Sequence, residues 1–153
     1  MEEGLTPGKA ADGAERIRAA LELKAQDIRS YSPLDLAYLG DAVYEVVIRT
    51  ALLSKGNRPV EKLHREAICY VKASAQAAQI RALEEGLTGE EREIYRRGVN
   101  AKPHTIPKNA DPRDYRQATA YEAVLGYLYL KGDMPRILEL VRQGIAAVKG
   151  TLS

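Results

Sequence analysis

The sequence predicts an all-α fold, and three observations support that prediction. Apolar residues recur with helical spacing along most of the chain, start and stop signals bound each such segment, and strand patterns are nearly absent. With 153 residues, of which 45% are hydrophobic, the chain can bury the core of one domain. We therefore expect a single helical domain over residues 13–150, preceded by a disordered segment, 1–12, that is rich in Gly, Pro and small residues.

Six helical segments are predicted. In chain order the six cover residues 13–29, 32–54, 58–85 with a break allowed near 70–74, 88–98, 111–131 and 134–149. The first is a short amphipathic pattern. The second starts well because Ser32 can cap the helix and Pro33 suits its first position. The third opens at Arg58-Pro59 and ends at Gly86.

The last three helices are separated by a loop and a turn. Thr88 and Glu91 have the spacing of a capping box, which predicts a helix start. Residues 100–111 contain two Pro and two Asn without periodicity, so they are expected to form a loop. Asp111 followed by Pro starts the next helix, and the Gly132-Asp133 turn separates it from a final amphipathic helix.

Composition excludes several classes of protein. The single Cys69 rules out an internal disulfide framework and is typical of the reducing cytoplasm. No apolar run reaches the roughly 18 residues of a membrane span, and the N-terminus lacks the basic and apolar regions of a signal peptide. We expect a cytoplasmic protein without a membrane partner. The net charge of +2 is too small to indicate nucleic-acid binding by itself.

An acidic residue stands in the middle of a strongly apolar helix. The segment 36–48, LAYLGDAVYEVVI, carries Asp41 and, one turn later on the same face, Glu45. Burying an unpaired carboxylate costs free energy, so Asp41 is expected to have a partner. That partner is either a cation site or a structural contact, such as a turn at Gly40 or a neighbouring Arg.

A second apolar helix also carries one acid. The segment 119–130, TAYEAVLGYLYL, has Glu122 in its first half. Two such helices can build a site for Mg²⁺, which takes oxygen ligands and often needs only one or two carboxylates besides water and phosphate. No local spacing links Asp41 to Glu122, so the pattern alone also allows two separate salt bridges.

The positive charge of the chain is concentrated just before the second acidic helix. Residues 92–116 contain seven Lys or Arg and three acids. The candidate RNA-binding residues in this segment are Arg96, Arg97, Asn100, Lys102 and Lys108. Such cations suit contacts with a phosphate backbone, which supply affinity without reading the base sequence. The alternative is an ordinary solvated surface.

These segments resemble the ribonuclease III family. LAYLGDAVYE is similar to its signature helix, TAYEAVLGYLYL is similar to its second acidic helix, and both the order and the separation of roughly 80 residues agree. Residues 71–98 resemble the linking region. Residues 96–123, RRGVNAKPHTIPKNADPRDYRQATAYEA, look most like the stand-alone branch called Mini-ribonuclease III, which has no double-stranded-RNA-binding domain. The resemblance covers about residues 30–148.

The resemblance implies a dimeric ribonuclease III-type catalytic domain. In that case Asp41 and Glu122 hold Mg²⁺, and the enzyme cleaves double-stranded RNA to leave a 5′ phosphate and a 3′ hydroxyl. The Mini-ribonuclease III branch implies maturation of the precursor of large-subunit (23S) ribosomal RNA, with a ribosomal protein as a candidate partner. The apolar residues of 36–52 cover more than one stripe, so one side of this helix is a candidate homodimer interface.

Two departures from the family pattern keep a second function open. Ala37 stands where the family has a glutamate, and Thr119 stands where it has an aspartate. Two of the usual four acids are therefore missing, and whether Glu45 or Thr119 assists the metal remains open. The alternatives are a catalytically inactive ribonuclease III-like protein that binds structured RNA, and a helical interaction module without a nucleic-acid role.

Overall fold

The all-α prediction is confirmed by a computed structural model, which describes residues 13–149. Within that range the chain forms seven α-helices and two short 3-10 turns, with no strand. The helices are α1 (Gly13–Ala20), α2 (Pro33–Leu53), α3 (Val60–Val71), α4 (Ala73–Leu83), α5 (Gly89–Asn100), α6 (Pro112–Lys131) and α7 (Met134–Lys149), and the 3-10 turns are Ile28–Ser30 and Glu84–Gly86. No helix in the described range is both long enough and apolar enough to cross a membrane. The segment 1–12 lies outside the described residues, and the domain limits stay a prediction.

Helix α6 is the centre of the domain. Ten of its twenty residues are buried, and it packs against α2, α4 and α5. Tyr121 on α6 contacts Tyr44 on α2 edge to face, with ring centroids 5.8 Å apart, and both side chains are completely buried. The inner face of α6, which carries Tyr121, is thus closely packed against the rest of the domain.

Three predicted boundary signals, at Ser32, Thr88 and Gly132, are confirmed in detail. The hydroxyl of Ser32 accepts a hydrogen bond of 3.1 Å from the backbone N–H of Asp35, at the start of α2. Thr88 and Glu91 form both hydrogen bonds of a capping box at α5. Gly132 ends α6 with φ of 85°, a left-handed conformation that glycine adopts without strain.

The prediction of one helix over 13–29 is wrong, because α1 ends at Ala20. Glu22 takes a left-handed conformation with φ of 58°. The N–H of Leu23 then donates to the carbonyl of Arg18 at 2.8 Å, and the N–H of Glu22 donates to the carbonyl of Ala19 at 3.2 Å. This pair of bonds is a Schellman motif, and it satisfies the last carbonyls of the helix without a glycine. Sequence analysis missed it because Glu is not a typical residue at that position.

The break allowed near 70–74 occurs at Lys72, whose extended backbone separates α3 from α4. After this break α4 runs against both α6 and α7. It carries Gln76 and Gln79 into the interior, where they are 2% and 1% exposed. Helix α4, which packs against α6, therefore carries two buried side-chain amides.

Candidate active site

The site lies where α2 crosses α6, and two glycines allow the backbones to touch. A Cβ atom on Gly40 would lie 1.7 Å from the carbonyl oxygen of Glu122. A Cβ atom on Gly126 would lie 2.0 Å from the carbonyl oxygen of Leu36. No side chain fits at either position without moving the backbone. Because Asp41 follows Gly40 directly, this crossing brings the two predicted site acids together.

The carboxyl groups of Asp41 and Glu122 lie within hydrogen-bonding reach of each other. Asp41 is exposed at the surface, and Glu122 is partly buried behind it. The expectation that the Asp41 carboxylate is buried is therefore wrong, and burial falls on its partner. That burial, together with the charge of Asp41, raises the pKa of Glu122 to about 8. Without a cation the pair retains a proton at neutral pH.

Gln76 on α4 completes the inner wall of the site. Its side chain reaches the Glu122 carboxyl and opposes the rise of that pKa. Its Nε2 atom is buried, yet within the described residues it has no hydrogen bond of acceptable geometry. Sequence analysis did not identify Gln76. Its helix, ASAQAAQIRAL, contains a second glutamine, Gln79, so the sequence alone does not single out Gln76.

Glu45 and Thr119, the two residues considered as auxiliary metal ligands, each form a hydrogen bond with another residue. Glu45 accepts a hydrogen bond from Arg49 Nη2 at 2.7 Å, an ion pair one turn apart on α2. Its charge still contributes to the raised pKa of Glu122. The hydroxyl of Thr119 donates to the carbonyl of Tyr115 at 2.9 Å, so only its lone pairs remain available to a cation or water.

The donor set of this site fits Mg²⁺. Residues 13–149 contain no group of three or more His, Cys, Asp and Glu side chains arranged to hold a metal ion. Mg²⁺ does not require such a cage, because it keeps several waters and is often bound by one or two carboxylates plus a substrate phosphate. An exposed Asp41 beside a partly buried Glu122 places two carboxyl groups, which are hard oxygen donors, on two neighbouring helices, with Asp41 open to solvent.

The basic segment lies against the same central helix. Gly98 on α5 packs directly on Ala120 of α6, because a Cβ atom on Gly98 would lie 2.8 Å from the Ala120 Cα and Cβ atoms. Arg97, just before Gly98, is partly buried, and Asn100 is exposed. The close contact therefore ties the end of α5 to the turn of α6 that precedes Glu122.

The cations of the basic segment differ in how freely they can bind RNA. Arg96 is exposed, but it forms an ion pair with Glu93 on its own helix at 2.7 Å. Lys102 and Lys108 are exposed in the loop before α6, and neither forms an ion pair within residues 13–149. Of these three side chains, the two lysines have the fewest competing contacts.

The chain is similar to known proteins over most of its length. The ribonuclease III domain family matches residues 34–133 of the chain. Mini-ribonuclease 3 from Thermoanaerobacter sp. is 42% identical over 127 residues, which make up 83% of this chain and 89% of that protein. Mini-ribonuclease 3 from Symbiobacterium thermophilum is 50% identical over 110 residues, 72% of this chain and 85% of that protein. A crystal structure of a protein from Fusobacterium nucleatum superposes with a TM-score of 0.73 at 31% identity, covering 81% of this chain and 95% of that one.

Proposed function

The chain belongs to the ribonuclease III family, and on this premise we propose how its acid pair serves RNA cleavage. The family relation carries the general function, a metal-dependent endoribonuclease that acts on double-stranded RNA. We propose further that the metal ion is Mg²⁺, that Asp41 and Glu122 hold it, and that the products carry a 5′ phosphate and a 3′ hydroxyl. The observation that carries this proposal is the meeting of the two carboxyl groups at the glycine crossing.

The two acids have different tasks because their surroundings differ. When bound, the ion supplies Lewis-acid neutralisation of the charge on the scissile phosphate. Asp41 is exposed, so its carboxylate faces the incoming backbone. Glu122 is partly buried on the central helix, so it fixes the inner side of the site and must release its proton before it can act as a ligand. The close backbone contact of α2 and α6 keeps the distance between the acids constant.

We propose that the basic segment binds the RNA backbone. Arg96, Arg97, Asn100, Lys102 and Lys108 are placed on α5 or in the loop that leads into α6. A-form RNA is recognised mainly through its shape, phosphates and 2′-hydroxyls, for which lysine, arginine and asparagine are suitable partners. The exposure of Lys102 and Lys108, without competing ion pairs in the described chain, supports this role.

The proposed active form is a homodimer. Helix α2 exposes three large apolar side chains, Tyr38 at 84%, Val46 at 64% and Leu53 at 56%. A shallow apolar groove beside Tyr38 is lined by Tyr31, Leu39 and Leu130. A protruding aromatic residue beside an apolar groove is typical of a subunit interface. One acid pair per subunit would give two cleavage centres, one for each strand of the duplex.

We propose precursor 23S ribosomal RNA as the substrate, in the cytoplasm of a bacterium, with a ribosomal protein as a candidate partner. The similarity to proteins named Mini-ribonuclease 3 supports this choice. The competing function is an inactive protein that binds structured RNA, and the observation in its favour is the small acid set, in which Glu45 pairs with Arg49.

One experiment separates these functions. Long duplex RNA is incubated with the protein in Mg²⁺ or in EDTA, and both cleavage and complex formation are measured. Cleavage that requires Mg²⁺ supports the enzyme. Binding without cleavage in either condition supports the inactive RNA-binding protein. If the protein neither binds nor cleaves the RNA, both of these functions are contradicted, and the helical interaction module is the remaining hypothesis.

A further inference from the structure

We propose that Gln76 is a positioning residue of the site, whose side-chain amide donates to the carboxylate of Glu122 and holds it facing a divalent cation beside Asp41. The inference rests on the proposed function, because it concerns the same acid pair. It is carried by one unusual feature of α4, a buried amide nitrogen without a partner at the inner wall of the site.

The two buried glutamines of α4 differ in how they are used. Gln79 has partners at both ends, because its Oε1 accepts from the Tyr44 hydroxyl at 2.8 Å and its Nε2 donates to the Tyr70 carbonyl at 3.4 Å. Gln76 is equally buried, but its Nε2 has no hydrogen bond in the described structure. Gln79 is therefore explained by the fold alone, and Gln76 is not.

A buried N–H without an acceptor costs free energy, and an apolar side chain at the same position would avoid that cost. The rest of the buried face of α4 consists of Ala, Ile and Leu residues apart from Gln79. A residue that weakens the fold in the absence of ligand is expected to gain its partner when the site is occupied. The group within its reach is the Glu122 carboxyl.

An ionised Glu122 carboxylate can bind a cation and accept a hydrogen bond from the Gln76 amide at the same time. Its two oxygens accept several hydrogen bonds and donate none, so one oxygen can face a cation while the other accepts from an amide N–H. Partners of this kind orient metal ligands, and their loss typically costs about 10–100-fold in metal affinity or activity. Asp41 comes from a different helix and is exposed, so it does not need Gln76 for its own orientation.

The test compares Gln76→Leu with Gln79→Leu, a matched change three residues along the same helix. Melting midpoints are measured in EDTA and across a Mg²⁺ titration without RNA, and cleavage of duplex RNA is measured across the same titration. For Gln76→Leu we expect an unchanged or higher midpoint in EDTA, because the unpaired N–H is gone. We also expect a smaller Mg²⁺-induced rise of the midpoint and about 10–100-fold more Mg²⁺ for half-maximal cleavage.

Gln79→Leu is expected to behave in the opposite way. It removes one acceptor of the Tyr44 hydroxyl and a donor to the Tyr70 carbonyl, so the midpoint in EDTA should fall, while the Mg²⁺ dependence should stay as in the wild type. If Gln76→Leu lowers the midpoint in EDTA and keeps the wild-type Mg²⁺ dependence, Gln76 is a structural residue and the proposal is overturned.

A third variant, Gln76→Glu, separates a donor from a direct metal ligand. It replaces the N–H donor by an acceptor and adds charge. If Gln76 orients Glu122 by donation, Mg²⁺ binding weakens; tighter Mg²⁺ binding would instead mean direct ligation and would overturn the proposal. The wild type serves as the reference for the proposed function, since a wild type without Mg²⁺-dependent cleavage contradicts that function and this inference together.

Discussion

Gly40 and Gly126 face each other across the crossing of α2 and α6. A Cβ atom on Gly40 would lie 2.9 Å from the backbone nitrogen of Gly126, and a Cβ atom on Gly126 would lie 3.1 Å from the backbone nitrogen of Gly40. The contact is therefore reciprocal, and both partners need to be glycine. Asp41 follows the first glycine and Glu122 lies one helical turn before the second, so the same contact sets the separation of the two acids.

Gly40→Ala is expected to impair both stability and cleavage. The added methyl group meets the Glu122 carbonyl oxygen, and a backbone atom cannot move aside as a flexible side chain can. Overpacking of this kind costs typically about 1–3 kcal/mol of unfolding free energy, or more. The helices must separate, so cleavage should fall further than the loss of folded protein explains. Urea unfolding and turnover per folded molecule measure the two effects.

Gly89→Ala is the control for that substitution. Gly89 also lies in a helix, but no atom lies within 4 Å of the position that its Cβ would take. Unfolding free energy and turnover should both stay near the wild-type values. Equal effects of the two substitutions would show that close packing at Gly40 does not set the geometry of the site.

Asp41→Asn and Glu122→Gln should each abolish cleavage while the helical fold is kept. Each change is nearly isosteric but removes a charged oxygen ligand. The loss of cleavage activity should be larger than about 10–100-fold, which is the typical loss when a residue that only hydrogen-bonds to a metal ligand is removed. Cleavage of duplex RNA is measured together with circular dichroism. Turnover near that of the wild type in either variant would contradict the assignment of these residues as metal ligands.

The stability of the metal-free protein should fall as the pH rises towards 8. The pKa of Glu122 is about 8 in the folded chain, against 4.5 for an unperturbed glutamate, so between these values the folded state binds one proton more than the unfolded state. Its contribution to stability is fully present below the lower value and is lost as pH rises through the upper one. The slope is at most about 1.4 kcal/mol per pH unit, and the partial exposure of Glu122 reduces it.

Glu122→Gln is the variant that tests this slope. It carries no titrating group at position 122, so urea unfolding in EDTA should show a flatter dependence on pH. At neutral pH the metal-free variant should also be the more stable protein, although it is inactive. Identical pH dependence in the two proteins would contradict a strongly raised pKa at Glu122.

Tyr38→Glu is expected to convert the proposed dimer into a monomer. Tyr38 is the most exposed of the large hydrophobic residues in the described chain, and the groove beside it belongs to the same face. A charge there would be buried without a partner in a dimer. Light scattering should give twice 16.9 kDa for the wild type and 16.9 kDa for the variant. Leu138→Glu, an equivalent change at an exposed position of α7, should stay dimeric. A monomeric wild type with full activity would contradict the two-centre arrangement.

Local signals in the sequence predicted most of the helix boundaries, because capping is a local interaction. Ser32, Thr88 and Gly132 each act within one turn of their own position, and each is found in its predicted role. The early end of α1 depends on the left-handed Glu22, which is a conformation that the residue type does not favour. Such a position cannot be recognised from composition or periodicity.

The acid pair could be predicted only in part. Two apolar helices with one acid each indicated Asp41 and Glu122, but their meeting depends on Gly40 and Gly126, whose contact joins residues 86 positions apart. The exposure of Asp41 was not predicted for the same reason, since it depends on which face of each helix meets the other. Gln76 was missed because an unpaired amide is visible only when its neighbours are known.

Lys102 and Lys108 should contribute to RNA affinity through the phosphate backbone and not through the bases. Both are exposed in the Pro-containing loop that leads into the helix carrying Glu122, and neither forms an ion pair within the described residues. Lys102→Ala and Lys108→Ala are therefore expected to weaken binding of unrelated duplexes by similar factors. Each should also lower the salt dependence of binding by up to about one phosphate contact.

Affinity for these lysine variants is measured on several duplexes across a series of salt concentrations, in the Asp41→Asn background so that the RNA stays intact. Lys62→Ala, which removes an exposed lysine from α3, is the matched control and should leave both affinity and salt slope unchanged. If the Lys102 and Lys108 double variant behaves like this control, the loop is ordinary solvated surface. The RNA would then have to bind through Arg97 and Asn100 at the end of α5, where Gly98 holds the helix against α6. A loss of affinity for one duplex but not for the others would mean that the lysines read bases, which contradicts the backbone role.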